Sequence, residues 1–295
     1  MNLFDLHSDT LYEAYVNKLS PISARTLQAP LGISPFDKTH RLSAIWCSNE
    51  LDDETCFREY LAIHAYTEDS VSHEGLPGGI GFSYAVEDAR LLAGKLERME
   101  TLAAHNVKVL TLTWQGISSV GGAWDTEMGL TDFGKAIVRN AAALGLTLDI
   151  SHASDQTAKE TLLIAERCNA SVIASHSNSR LVCPHKRNLS DYLFDALSER
   201  EALVGISMVP YHLQENGCAK LSDVFSHILH FLSRRNAEKT LAIGSDFDGV
   251  STLPEGISSL SDLPKLYRHI ESVLGKVAAE AIFYENASRF FSQRY

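Results

Sequence analysis

Imidazoles and carboxylates recur in this chain at one kind of position, the C-terminal end of a short apolar run. The first run closes at His7 and Asp9, the third at Glu87, the fifth at His152, the sixth at His176, and the eighth at Asp246 and Asp248. Imidazole nitrogens and carboxylate oxygens are donors that suit zinc. Two His–carboxylate sets sharing one carboxylate make a two-metal site, with ions about 3.5–4 Å apart. Such a pair acidifies water and polarises a carbonyl or phosphoryl oxygen, which is hydrolase chemistry. Taken singly, each residue has an ordinary explanation. A histidine can end a strand as a satisfied structural group, Glu87 can favour a helix start, and Asp-x-Asp before Gly249 can be a turn. Their joint occurrence is what calls for a metal.

The elements that must gather these residues follow a repeat of strand and helix. The apolar runs are Asn2–Asp9, Leu42–Ser48, Gly79–Glu87, Val107–Trp114, Leu146–His152, Ser171–Ser177, Leu203–Val209 and Leu241–Asp248, eight in all. Helical spacing fills Asp53–Thr67, Asp88–Ala104, Asp132–Leu144, Asp155–Arg167 and Leu221–Arg234, and a last helical stretch is expected over Lys276–Arg289. Alternating strands and helices pair in parallel. Eight units predict an α/β fold closed as a (β/α)8 TIM barrel, with residues 1–295 as one domain. All eight strand ends then lie on one rim, where barrel active sites are built. Alternation along a strand points His7 and Asp9 the same way, roughly 6.5–7 Å apart, and the same is expected of Asp246 and Asp248. Asp155 is expected to cap a helix, and Asn106 to end one in the left-handed conformation. The Pro-containing segment from Val16 to Thr39 is expected to be a long loop over the barrel mouth.

Bulk properties narrow the class. The 295 residues are 45% hydrophobic, enough for a large core, and the net charge is −11. Acidity without a basic run argues against nucleic acid and against an anionic membrane surface. No stretch nears the ~18 apolar residues of a membrane span. The start MNLFDLHSDTL lacks the basic and apolar regions of a signal peptide. The cysteines Cys47, Cys56, Cys168, Cys183 and Cys218 are odd in number and scattered, which suits reduced thiols. The expected location is cytoplasmic.

Several blocks are specific: DLHSDTL, LTLTW at Leu110–Trp114, GLTDFGKAIVRNAAALGLTLDISHAS at Gly129–Ser154, VIASHSNSRLVCPHKRNLSD at Val172–Asp191, IGSDFDGV at Ile243–Val250 and YENASRFF. On these, over almost its whole length, the chain resembles the renal (membrane) dipeptidase family of zinc peptidases, within the amidohydrolase-like metal barrels. The resemblance implies a dipeptidase with two zinc ions that share a hydroxide. It implies His7 and Asp9 as ligands of one zinc, Glu87 as the bridge, and His152 and His176 as ligands of the other. It also implies Asp246 as the acid/base residue and Arg187 as the anchor for the substrate carboxylate. Dimers are common among such enzymes, so a homodimer stays open. Trp114 stands where many members carry a histidine that polarises the scissile carbonyl; indole donates one hydrogen bond but cannot become cationic. Glu87 also sits in Val-Glu-Asp-Ala rather than the usual Glu-Gly-Gly-His. Trp114 and Tyr211 are candidates to pack on substrate side chains, with Asp248 behind the ligands. The competing readings are another binuclear barrel hydrolase, such as an N-acyl amino acid deacetylase or lactonase, and a non-hydrolytic metal-binding protein.

Overall fold

The computed structural model describes residues 1–46 and 48–294. Eight strands form one sheet: β1 Asn2–Ser8, β2 Lys38–Trp46, β3 Ile80–Glu87, β4 Val107–Thr111, β5 Thr147–Asp149, β6 Val172–Ile173, β7 Val204–Ile206 and β8 Leu241–Ile243. They lie in the order β6-β5-β4-β3-β2-β1-β8-β7, every pair parallel. The edges meet through a parallel bridge between Ala174 and Val204. There the Ala174 N–H donates to the Leu203 carbonyl at 2.9 Å and the Gly205 N–H to the Ala174 carbonyl at 2.8 Å. Small residues make this closure possible, since a Cβ on Gly205 would lie 1.9 Å from the Ser175 carbonyl oxygen. The expected (β/α)8 barrel therefore forms.

The helices are α1 Thr10–Val16, α2 Asp53–Glu74, α3 Arg98–Ala104, α4 Asp132–Ala141, α5 Asp155–Cys168, α6 Asp191–Ser198, α7 Pro210–Leu213, α8 Leu221–Leu232 and α9 Leu263–Leu274. Lys276–Glu280 (α10) and Asn286–Ser292 (α11) are joined by a π turn over Ala281–Glu285. The strands divide their side chains between two cores. Leu3, Val86, Leu110, Leu148 and Ile243 belong to the large cluster that packs with the helices. Phe4, Leu6, Leu42, Ala44, Ala85, Val109, Ile173 and Ala242 form a second cluster with Phe290 and Phe291, filling the barrel interior. Phe291 stacks on Phe4 at 5.2 Å, so α11 closes the floor at the N-terminal strand ends.

Some local expectations need correction. Helical spacing over Asp88–Ala104 is interrupted, because Ala93 (φ 50°) and Gly94 (φ 72°) turn left-handed between a 3-10 turn and α3. Ser154, not Asp155, caps α5 by accepting from the Thr157 N–H, and Asp155 instead pairs with Arg180 at 2.7 and 2.8 Å. Asn106 is left-handed as expected (φ 59°). The segment expected over the mouth meets the rim at Gln28 and Ala29, which bond Asp248, and from there runs down the barrel's flank. The fully buried Arg41 of β2 donates to the carbonyls of Ala29, Pro30 and Leu31, each at 2.7 Å, and the Asp37 N–H reaches the Met1 carbonyl at 2.9 Å. Cys168, Cys183 and Cys218 are free thiols, while Cys47 lies outside the described residues.

Candidate metal centre and active-site cavity

Only some of the ligand candidates sit in regular strand. Glu87 ends β3 within the ladder, and His7 is the penultimate residue of β1, where the register with β2 shifts between Asp5 and Ser8. β5, β6 and β8 stop at Asp149, Ile173 and Ile243, so His152, His176 and Asp246 lie just beyond, in the loops that follow. His152 (φ 67°), Asp246 (φ 63°) and Asp248 (φ 66°) are left-handed. Strand alternation consequently fails at the eighth strand end. Asp246 faces His7, with Oδ1 at 3.8 Å from Nε2. Asp248 turns away and accepts from Thr10 Oγ1 and the Gln28 N–H, each at 2.6 Å, and from the Ala29 N–H at 3.2 Å.

Glu87 stands at the centre, and its two oxygens face different partners. Oε1 lies 3.0 Å from His152 Nε2 and 3.5 Å from His176 Nε2, and those two nitrogens are 2.9 Å apart. Oε2 lies 3.6 Å from His7 Nε2, which is 3.5 Å from Asp9 Oδ2. Donors held at about 2.1 Å from one tetrahedral ion stand about 3.4 Å from each other. The observed separations scatter around that figure. His7 Nε2 and Asp9 Oδ1 are buried without hydrogen-bond partners, a costly state that an ion would relieve. A Cβ on Gly249 would lie 2.2 Å from Asp9 Oδ2 and 2.6 Å from Asp246 Oδ1, so a side chain there would displace both carboxylates. The described residues therefore fit a metal pair: His7, Asp9 and Glu87 on one side, Glu87, His152 and His176 on the other.

A further layer fixes the imidazoles. Ser175 Oγ donates to Asp149 Oδ2 at 2.6 Å, so at its 2.7 Å contact with His176 Nδ1 it must accept. The proton then resides on Nδ1, and the Nε2 lone pair is left facing Glu87. Asp149 is held by the N–H groups of Ser151 and Ser175 at 2.8 and 2.9 Å and by Thr111 Oγ1 at 2.7 Å. Asp5 repeats this between β1 and β8, accepting from the Ser245 N–H at 2.8 Å and Ser245 Oγ at 2.5 Å.

Electrostatics follow burial. Desolvation, then the positive charges of Arg187 and His7, hold His152 well below the usual imidazole range, and desolvation and His7 do the same to His176. Burial alone would lower His7, but Glu87 and Asp9 overcome it and hold it well above that range. Burial pushes Asp9 up to about 6 and raises Asp246 well above the usual carboxylate range. Arg187 is lowered only to about 10 by burial, so it stays cationic at neutral pH.

A cavity of about 380 Å³ opens onto the centre. Asp9, Glu87, Trp114, His152, Arg187, Asp246 and Asp248 line it. Arg187 spends one donor on Ser177 Oγ (3.1 Å) and one on the His176 carbonyl (3.0 Å), leaving Nε unpaired. Tyr211 is not brought in. It is 60% exposed and packs on Gly217, while the adjacent His212 lines the cavity. Sequence reasoning also missed Tyr12, Trp46 and Trp124, which line it too. Trp46 ends β2 but lies inside the second apolar run, Leu42–Ser48, so a search for polar residues at run ends passed over it. Trp124 comes from a loop and His212 from the four-residue α7, and neither left a comparable mark.

Four similarities to known proteins bear on this arrangement. Over 200 residues the chain is 34% identical to the dipeptidase aclJ of Aspergillus oryzae, a match covering 66% of this chain and 46% of that relative's length. A metallopeptidase of Rhodobacter sphaeroides, solved with a phosphinate mimic of the dipeptide L-Ala-D-Ala, superposes with a TM-score of 0.85 at 20% identity, over 100% of this chain and 99% of that one. A dipeptidase AC of peptidase family M19 gives 0.86 at 21% identity, again over 100% and 99%. At such identities the two structures speak for the fold. The family model for membrane dipeptidase matches residues 56–294, which take in Glu87, His152, His176, Arg187 and Asp246. The chain thus belongs to the membrane dipeptidase family, peptidase family M19.

Proposed function

We propose that this protein is a zinc-dependent dipeptidase that hydrolyses the peptide bond of dipeptides with a free C-terminal carboxylate. One observation carries the reading: Glu87 divides its oxygens between two ligand sets in the cavity that Arg187 lines. Two zinc ions are assigned, one to His7, Asp9 and Glu87, the other to Glu87, His152 and His176. Bound there, such ions supply an acidified water and positive charge for the scissile carbonyl oxygen.

The remaining work falls to the chain. Arg187 pairs with the substrate carboxylate, and a longer peptide would have to pass through that contact, which limits the length. Asp246 takes up a proton and returns it to the leaving amine; it lines the cavity and faces His7 at the edge of the ligand sets. Trp114 and the neighbouring rings exclude water from one side of the cavity. Asp248 ties the segment at Gln28 and Ala29 to the rim. The odd number and scatter of the cysteines along the chain support a cytoplasmic setting.

The test is a panel of dipeptides, N-acyl amino acids and lactones, run with and without a chelator. Chelator-sensitive cleavage of dipeptides is expected, with the other two classes turned over poorly. Full activity in metal-free protein would overturn the reading. In the same assay, Arg187→Lys should impair free-carboxylate dipeptides far more than amidated ones.

A further inference from the structure

All three tryptophans of the chain line this one cavity. Two of them join Tyr12 in a continuous wall. Tyr12 meets Trp46 edge-on at 4.9 Å, and Trp46 meets Trp114 at 4.9 Å and 62°. All three rings stay partly exposed towards the cavity. Barrel order gives the wall a direction. Tyr12 follows β1, Trp46 ends β2 and Trp114 follows β4, whereas Arg187 follows β6 and His212 follows β7. The wall is centred on β2, with Glu87 of β3 on its side, and the carboxylate anchor after β6 faces it from four strands away across the barrel. A dipeptide whose carboxylate meets Arg187 and whose scissile carbonyl lies at Glu87 must send its N-terminal residue towards the rings.

Charge refines the choice. Asp9, Glu13, Glu87, Asp246 and Asp248 all line the cavity, and Arg187 is the only lysine or arginine among the described lining residues. A carboxylate side chain pointing at the wall would meet no cation on that side. Flat apolar rings gain most from covering by another large apolar group.

We propose that Tyr12, Trp46 and Trp114 form the side-chain subsite for the residue N-terminal to the scissile bond, selecting large apolar and above all aromatic side chains over glycine and acidic ones. The assignment rests on the dipeptidase reading above.

The experiment uses metal-loaded protein and an X-Ala series in which X is Gly, Leu, Phe, Lys or Glu. Phe-Ala and Leu-Ala are expected to exceed Gly-Ala in kcat/KM by about 10- to 100-fold, with Glu-Ala lowest. Trp46→Ala and Tyr12→Ala, each checked for metal content, should shrink the Phe/Gly ratio to under about threefold. The matching Ala-X series should keep its own ratios in both variants. Gly-Ala equal to Phe-Ala, Lys-Ala in the lead, or an unchanged ratio in both variants would overturn the subsite. Cleavage of no dipeptide at all would overturn the dipeptidase reading, and the subsite with it.

Discussion

At the floor of the barrel, Phe4 stacks on Phe291 at 5.2 Å, and Phe290 meets Phe291 edge-on at 5.1 Å. The contacts there are mainly between rings, with the Arg294 guanidinium over Phe290 at 3.7 Å and His40 against Phe4 at 4.7 Å. At the rim the same strands and the loops after them deliver His7, Asp9, Glu87, His152, His176 and Asp246 into one buried centre. That end holds unpartnered nitrogen and oxygen atoms and left-handed non-glycine residues, each costing about 1 kcal/mol or more. The floor stabilises by excluding water. The rim spends some of that stability on groups that only a bound cation satisfies. Stability and chemistry are therefore separable by barrel end, and substitutions at the two ends should fail differently.

The largest effect is expected at Glu87. Glu87→Ala removes the donor common to both ligand sets, so metal content should drop well below that of the wild type. Activity should fall by about 10²–10³-fold or more, while the circular dichroism spectrum stays that of a folded barrel. Phe291→Ala is the opposite case. It should cost about 3–5 kcal/mol of stability in chemical denaturation and leave metal content and the KM of the folded fraction unchanged. If it stripped the metal as well, the two ends would not be separable.

A smaller effect sharpens the comparison within the rim. Ser175→Ala removes the hydroxyl between Asp149 and His176, freeing the ring to rotate or change tautomer. Metal affinity, read by chelator competition, should weaken by about 10–100-fold. An unchanged affinity would show that packing alone orients His176.

The smallest effect concerns pH. His227 of α8 accepts the Ser179 N–H at Nδ1 (3.0 Å) and donates from Nε2 to the Leu213 carbonyl (3.1 Å), behind the sixth strand's rim loop. Burial lowers its pKa from 6.5 to about 4. A depressed imidazole pKa means that the unfolded chain binds more protons between those values. Its contribution to stability is thus complete above 6.5 and declines as pH falls towards 4. By pH 5 the loss is about 2 kcal/mol. His227→Gln should show a flatter melting temperature from pH 7 to 5 than the wild type; an equally steep decline would remove His227 as the cause.

Much of this was legible before any coordinates. The strand–helix repeat and the positions of His7 and Glu87 follow from local pattern, because both residues fall inside their strands. The apolar runs overstated the later strands. β5 stops at Asp149 and β8 at Ile243, so the faces of His152, Asp246 and Asp248 are set by left-handed turns that alternation does not describe. Asp149 and Ser175 were passed over because their role appears only when β5 and β6 lie side by side. Tyr211 and His212 are neighbours, and only the turn at Pro210–Leu213 decides which of them enters the cavity.

The division of Glu87 between two cations can be observed directly. Crystals of the metal-loaded protein, with anomalous data at the zinc edge, should show one peak touching Glu87 Oε2 beside His7 and Asp9 and a second touching Oε1 beside His152 and His176. A single peak, or two peaks that do not both touch Glu87, would contradict the shared carboxylate and the chemistry built upon it.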